Sequence, residues 1–519
     1  MKIIKLNNKL LPLLAVGALM ISSCSKLNEK VYSAETSSTY FKTSDQVVAA
    51  YLLPYSFMQT HIYQTHFALQ EFTTDEAVAP TRGGYVDQLG AWERFHRHTW
   101  TSQEPWVENE WTAMFQGIGF ANYFIDQIDK IDLTSITNLP VSKEQMIAEV
   151  KMVRALHYYW ALSDFGNIPV VEHIGEQNPP TKKSAEVFAF IEKEIKANLP
   201  LLSEKGDPNW YGHFTKTAAH TLLAKLYLNA KVFTGNERAD DCIAECDSVI
   251  NSGKYSLDAT WNAPFLVNNE NSNENIFVVP FDGSQAPQFN ATQQQLHWDL
   301  AGKYNLNFAD GCWYKTVTDG TFYNKFKAQD YRINQWLAGP QTYTDVNGNE
   351  QPVMNDNGDQ LVLNPNIDKL SNPDGGYYDG VVNIKYEVEV GGLNNMNNDL
   401  VVFRYADVLF MKAESLMRKN GNIATAEAVG LINDVRARSF ASGDAAAKYT
   451  ILTLTANELL DERAREFAYE MTRREDLIRF GKFNEAWWEK PVTDAHYEVF
   501  PIPTNIKTAN PALEQNLGY

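Results

Sequence analysis

The chain has little cysteine, a shortage of basic charge and almost no long apolar run, and each shortage removes a class of function. Only Cys24, Cys242, Cys246 and Cys312 occur in 519 residues, too few for a disulfide scaffold of this size. Cys242 and Cys246 stand four apart, which in an intact helix is poorly disposed for a disulfide, and no neighbouring ligands complete a metal site. They are expected to be small buried side chains. Lysine and arginine number 45 against 64 acidic residues, for a net charge of −19. That excess repels nucleic-acid phosphates and anionic headgroups, so no nucleic-acid partner is expected and a neutral ligand or a protein is favoured.

Catalytic motifs are missing as well. There is no His-Glu-x-x-His, no Gly-x-Ser-x-Gly and no phosphate-cradling Gly-x-x-x-x-Gly-Lys-Ser/Thr. The stretch Gly117-Ile118-Gly119-Phe120 fails as a dinucleotide fingerprint because Asn122 takes the place of the third glycine. His96 and His98 sit in an aromatic and basic cluster that is expected to pack rather than react. Many carboxylates belong on an acidic exported surface, and sequence alone does not pair two of them across a glycosidic bond. The chain is therefore read as no enzyme, with no cofactor and no metal.

What is present begins at the first residues. Lys2, Lys5 and Lys9 precede the apolar segment Leu10 to Ile21, which is short for a permanent span and has the shape of a signal peptide. Ile21-Ser22-Ser23-Cys24 resembles a bacterial lipobox, so residues 1–23 are expected to be removed and Cys24 acylated. Full processing puts several acyl chains, palmitate among them, on one residue, a firmer anchor than one chain alone. Residues 24–38 then form a lipidated terminus and polar tether. Nothing later is apolar for long enough to cross a bilayer.

Helical periodicity clusters at two places. Glu104 to Ile131 and Glu144 to Asp164 read as helices, the second with Met146, Val150, Val153, His157 and Trp160 on one face and a Ser142/Gln145 capping box before it. It should end near Gly166 and Pro169. Ser184 to Leu199, Thr215 to Ala230 and Asn236 to Ile250 continue the pattern in units like degenerate tetratricopeptide hairpins. Helices resume at Tyr405 and Thr425, and Thr455 with Glu458 makes a capping box for a helix expected to run through Ala464, Phe467 and Met471. Between Tyr255 and Phe403, Gly, Asn, Asp and Pro cut the chain into short pieces, with Ile276 to Val279 a strand and Asn347-Gly348 and Asn357-Gly358 hairpin turns. Asp345, Asn347 and Asn349 imitate a calcium loop, but Asp356 stands where its glutamate belongs, so a simple turn is expected.

Five segments together carry a family resemblance: HYYWALSDFGNIPVV at His157–Val171, AHTLLAKLYLNAKVFTG at Ala219–Gly235, RYADVLFMKAESL at Arg404–Leu416, LLDERAREFAYEMTRREDLIRFGKF at Leu459–Phe483, and the tail Val499–Tyr519. With the lipobox they closely resemble the SusD/RagB family of outer-membrane lipoproteins. The resemblance implies a mainly α, SusD-like fold with tetratricopeptide-like hairpins and an irregular lobe containing short strands. It implies a single domain over 39–519, with a helical scaffold at about 104–250 and 404–480 and a variable lobe at about 255–403. It also implies noncatalytic capture of oligosaccharides or polysaccharides at the outer membrane, facing the cell exterior, beside a SusC-like TonB-dependent barrel. Peptide or other nutrient capture for the same barrel, and a protein-binding helical adaptor, are the alternatives.

The arginines and acids of Leu459–Phe483 are expected to form a structural network of guanidinium–carboxylate pairs. A sugar offers apolar C–H faces rimmed by hydroxyls, which suits a flat ring beside amides or carboxylates. Thr74 to Trp100 resembles the family's segment near the binding face, and there Tyr85 and Trp92, with Arg82 and Asp87, are candidate ligand contacts. In the lobe, Gln293 to Trp336 is rich in aromatics, and Trp313-Tyr314 beside Gly311 is the leading platform.

Overall fold

Thr43, Ser142, Thr215, Thr425 and Thr455 each cap the start of a helix with a side-chain hydroxyl. In the structure, a computed structural model, residues 41–82, 87–286, 289, 291–306, 317–372, 376–393 and 395–519 are described. The chain divides after Lys42 into two units, and the second, Thr43–Tyr519, holds every helix and strand among the described residues. The leader, Cys24 and the tether lie outside the described residues, as do Tyr85, Cys312, Trp313 and Tyr314.

Helix α1 (Ser44–His61) starts at a Thr43/Gln46 capping box, ahead of the first helix that periodicity predicts. It runs into a π-helical turn at Ile62–His66 and then α2 (Phe67–Glu71). A short α3 (Ala91–His96) precedes α4 (Pro105–Ile128), which opens with proline at its first turn. Ser142 caps α5 (Lys143–Phe165), and Gly166 ends it at φ +66°. Every member of the predicted Met146-to-Trp160 face is buried. Helices α6 (Ser184–Asn198), α7 (Lys216–Leu228) and α8 (Ala239–Asn251) come next. The closing set is α9 (Tyr405–Lys419), α10 (Ala426–Arg436), α11 (Ala456–Phe467) and α12 (Arg473–Arg479).

Successive helices stack: α4 on α5, α5 on α6, α7 on α8, α8 on α9 and α9 on α10. The α8–α9 contact joins the two halves of the helical body across the lobe that separates them in sequence. Cys242 and Cys246 are free and buried on α8, as small hydrophobes. One core gathers Leu409, Phe410 and Ala413 of α9 with Ile432 of α10 and Phe467 of α11. Among the described residues no helix is long and apolar enough to cross a membrane.

Strands are short and lie in small two- or three-stranded sheets. Labelled in chain order, β1 is Thr81–Arg82, β2 Asn275–Val279, β3 Val317–Thr318, β4 Trp336–Leu337, β5 Thr342–Thr344, β6 Glu350–Pro352, β7 Ser371–Asn372, β8 Val381–Asn383 and β9 Leu400–Arg404. β2 pairs antiparallel with β9, β8 lies between β3 and β4, and β1 runs parallel to β7. β5 and β6 form a hairpin whose turn is held by Asp345 Oδ1, which accepts the Asn347 and Asn349 N–H groups at 2.8 and 2.9 Å. The apparent calcium rhythm is turn chemistry.

Two expectations at the last capping box change. Thr455 does accept the Glu458 N–H at 3.1 Å, but the Glu458 carboxylate accepts from Tyr449 at 2.5 Å and Arg465 at 2.6 Å. The helix also stops at Phe467 instead of reaching Met471. Glu76 takes the Tyr469 N–H and Glu71 the Met471 N–H, and both acceptors hold residues at positive φ.

The acidic and basic residues of α11 and α12 form a buried network. Arg332 bonds Asp330, Glu462 and Glu466 at 2.7 to 2.9 Å; Arg404 bonds Glu274, Glu466 and Glu470; Arg463 and Arg479 share Asp476. Burial alone would raise Glu462, yet Arg332, Arg465 and Arg436 hold it at about 2. Because Asp330, Arg332 and Glu274 belong to the middle lobe, these ion pairs fasten the lobe to the helical body.

Candidate functional site

Trp92 is a core ring. Gly90 at φ +77° turns the chain into α3, and this sends Trp92 inward, 3% exposed, stacked on Phe72 at 4.5 Å and against Trp106 at 4.6 Å. It therefore presents no open face to a sugar, which corrects the expectation that it contacts ligand. His96 and His98 also pack inward: His96 Nε2 bonds the Trp488 carbonyl, and His98 stacks on Phe483. Asp75 is paired with Arg473. In the lobe Trp336 is buried, while Trp298 and Tyr304 are half-buried.

The geometry assembles a different aromatic face. Arg82 and Asn372 are register partners at the ends of β1 and β7. In sequence a Gly-Gly-Tyr follows each strand, Gly83-Gly84-Tyr85 after β1 and Gly375-Gly376-Tyr377 after β7, and of the first triplet all three residues lie outside the described residues. Gly376 sits at φ +76°, with the Asn372 and Asp379 side chains 3.2 Å from where a Cβ would stand. Tyr377 emerges 45% exposed.

His297 holds this face together. Its Nδ1 accepts the Asp299 N–H at 3.2 Å, which leaves Nε2–H to donate to the Tyr377 carbonyl at 3.2 Å. Its fully buried ring lies 3.9 Å from Trp298 and 5.3 Å from Tyr378, so one imidazole brackets two larger rings. Leu296 and Leu300 anchor the same turn in a core with Leu370 and Val382, onto which Trp298, Tyr304 and Tyr378 pack.

Charge at this face is mainly acidic and partly desolvated. Burial, reinforced by Asp356, pushes Asp299 up to about 6, and its Oδ2 has no hydrogen-bond partner among the described residues. Burial lowers Lys303, whose ammonium lies 5.5 Å from the Tyr304 ring centre. Burial raises Tyr378, with Asp299 next in effect. Half-exposed rings beside the Asp299 carboxylate, with Asp356 and Asp359 near enough to act on Tyr378 and with the Lys303 ammonium by Tyr304, can cover a C–H face and accept or donate to hydroxyls. By contrast, a cavity of about 550 Å³ lined by Lys231, Glu237, Asp240, Arg418 and Lys419 has its charges paired with one another. It offers ion pairs and little ring surface.

Sequence reasoning placed Arg82 and Asp87 at the site; the backbone of Arg82 ends β1 and that of Asp87 opens a 3-10 turn at Asp87–Gly90. It missed Tyr377, Tyr378, Asp299 and Lys303. The repeated Gly-Gly-Tyr was the signal that could have found the tyrosines.

Known proteins share this architecture. Residues 234–498, just over half of the chain, match the model described as the SusD family, and residues 27–228 match one described as starch-binding associating with outer membrane. The chain belongs to the SusD/RagB family. Among curated relatives of this SusD/RagB member is the starch-binding protein SusD of Bacteroides thetaiotaomicron, 25% identical and covering 89% of this chain and 86% of its own length. A solved SusD homolog from the same organism superposes with a TM-score of 0.73 at 20% identity, over 93% of this chain and 98% of that one. The surface glycan-binding protein A of Bacteroides thetaiotaomicron, solved in complex with laminarihexaose, gives a TM-score of 0.70 at 18% identity, over 91% and 99%. The mainly α SusD-like fold is thus the fold of this chain.

Proposed function

We propose that this protein captures glycans at the outer-membrane surface, without cleaving them, and passes them to a SusC-like TonB-dependent transporter. The observation that carries the glycan reading is the face built on His297, whose ring lies against Trp298 and Tyr378 and bonds the Tyr377 carbonyl, with Tyr304 packed on the same core. Support comes from a relative named for starch binding and from a structural neighbour solved with laminarihexaose. In this reading Cys24 carries the lipid, residues 24–38 are the tether, and 39–519 act as one domain. Tyr85, Arg82, Asp87, Trp313 and Tyr314 remain further candidate glycan contacts in this reading.

Capture for transport calls for modest affinity, on the order of micromolar to millimolar, so that cargo is released as well as held. The deciding experiment is a glycan array with calorimetry on Ser25–Tyr519. Binding of a glycan that weakens in Tyr377→Ala and Trp298→Ala supports the reading. A folded chain that binds no glycan but binds a peptide library gives the site to peptide cargo. Co-purification in mild detergent from the native host tests the transporter, and failure to recover any TonB-dependent barrel removes that half of the proposal.

A further inference from the structure

Three helical segments bring a histidine and two carboxylates together in the dry interior. His66 closes the π-helical turn after α1, Glu110 projects from α4 and Asp164 from the last turn of α5. Their side chains are between 0% and 4% exposed. One ligand atom from each lies within 4.8 Å of the others. His66 Nδ1 is 2.8 Å from Glu110 Oε1 and 3.7 Å from Asp164 Oδ2.

Buried carboxylates need partners for every oxygen, because an unpaired ion in a dry interior is costly. Here Glu110 Oε2 and Asp164 Oδ2 have no hydrogen-bond donor among the described residues. A protonated imidazole does not answer both, since Nδ1 carries one N–H and that proton serves Glu110 Oε1. The Arg474 guanidinium reaches Asp164 only at 3.8 Å. His157 is held neutral by burial, with its pKa lowered to about 4, and burial likewise lowers His61, so neither adds a cation.

We propose that His66, Glu110 and Asp164 bind one divalent transition-metal ion of the zinc class. Two ligands on a tetrahedral ion with bonds of about 2.1 Å stand about 3.4 Å apart, and the two separations from His66 Nδ1 bracket that value. Nitrogen with carboxylate oxygens is a donor set suited to zinc, manganese or cobalt. A neutral imidazole and two carboxylates balance the ion's charge, and the orphaned oxygens gain a partner. Support around the ligands is also in place: Gln70 Nε2 donates to Asp164 Oδ1 at 2.6 Å, and Trp160 lies 4.9 Å from the His66 ring. The π-helical turn is the local irregularity that sets His66 at this point, as such turns often do at functional positions. A metal here ties α1, α4 and α5 at one point of the core.

The test uses the full chain stripped with chelator, reloaded separately with Zn²⁺, Mn²⁺ and Co²⁺, and gel-filtered. The expected result is one equivalent of ion retained per chain by mass spectrometry, with a raised melting temperature. Asp164→Asn should retain the ion at least tenfold less well. X-ray absorption at the zinc edge of the wild-type chain should show one imidazole in a nitrogen and oxygen shell, which decides the matter even if Asp164→Asn does not fold. A folded wild-type chain that retains no ion, an all-oxygen shell, or undiminished retention in Asp164→Asn overturns the proposal; retention of none assigns the cluster to a shared proton.

Discussion

Glu71 accepts the backbone N–H of Met471 at 2.7 Å across 400 residues of sequence. With Glu76 on the Tyr469 N–H, it pins two non-glycine residues at φ near +60° and turns the chain from α11 into α12. The N-terminal helices thus decide where a C-terminal helix stops. The same carboxylate is displaced in acidity: burial, the first cause, raises Glu71 to about 7 against the Met471 N–H, Glu76 and Lys385, which pull it down, while Glu470 adds to the rise.

The sign of that shift sets a pH dependence. The folded state binds a proton at Glu71 that the unfolded chain has released, between an ordinary carboxylate pKa of about 4.3 and about 7. Stability from this group is therefore present at low pH and falls as pH rises through that window. Glu71→Gln keeps an acceptor for Met471 and should flatten the fall, leaving the variant more stable than wild type at pH 8 by on the order of 2 kcal/mol. Urea unfolding of both chains at pH 5 and pH 8 measures the difference, and parallel curves refute it.

The arginine network behaves in the opposite sense. Glu462 is held at about 2, so its contribution stands above the ordinary carboxylate range and is lost as pH falls toward 2. Glu462→Gln at neutral pH strands Arg332 and Arg436 and should cost about 3–5 kcal/mol. The partly exposed Glu458→Gln should cost under about 1 kcal/mol. Equal losses in equilibrium denaturation would remove the distinction between buried and surface pairs.

Two rings separate packing from recognition. Trp92→Ala empties core space and should cost about 3–5 kcal/mol in stability. Tyr377→Ala should leave the melting temperature near wild type and weaken glycan affinity about 3- to 10-fold, the worth of one ring contact. Calorimetric titration beside thermal unfolding gives both numbers, and an unchanged affinity in a folded Tyr377→Ala chain dismisses that tyrosine.

Two glycines on α4 make a matched pair. A Cβ at Gly117 would stand 2.3 Å from His157 Nε2, while one at Gly119 meets nothing within 4 Å. Gly117→Ala should destabilise by about 1–3 kcal/mol through overpacking, and Gly119→Ala should stabilise by roughly 0.5–1 kcal/mol through helix propensity. Melting temperatures moving in the same direction would show that the two helix faces are not distinguished in this way.

Much of the helical body was legible because its causes are local. Ser142 and Thr455 announce helix starts, Gly166 announces an end, and the stripe from Met146 to Trp160 repeats at the period of the helix it builds. The Asp345 and Asn347 turns were legible for the same reason, since a side chain bonding its own backbone needs nothing distant. Family membership, too, was legible in the helical segments of the resemblance, which lie within the matched residues apart from a few at Asn229–Phe233.

Tertiary structure alone decided the rest. That Trp92 is core and Tyr377 is open depends on Phe72, Trp106 and His297, none of which is a neighbour in sequence to the ring it controls. Helix α11 ends at Phe467 because Glu71 and Glu76 arrive from the other end of the chain. Periodicity records which side of an element is apolar, whereas exposure, helix termination by a remote carboxylate and the meeting of His66, Glu110 and Asp164 depend on which elements come to lie side by side.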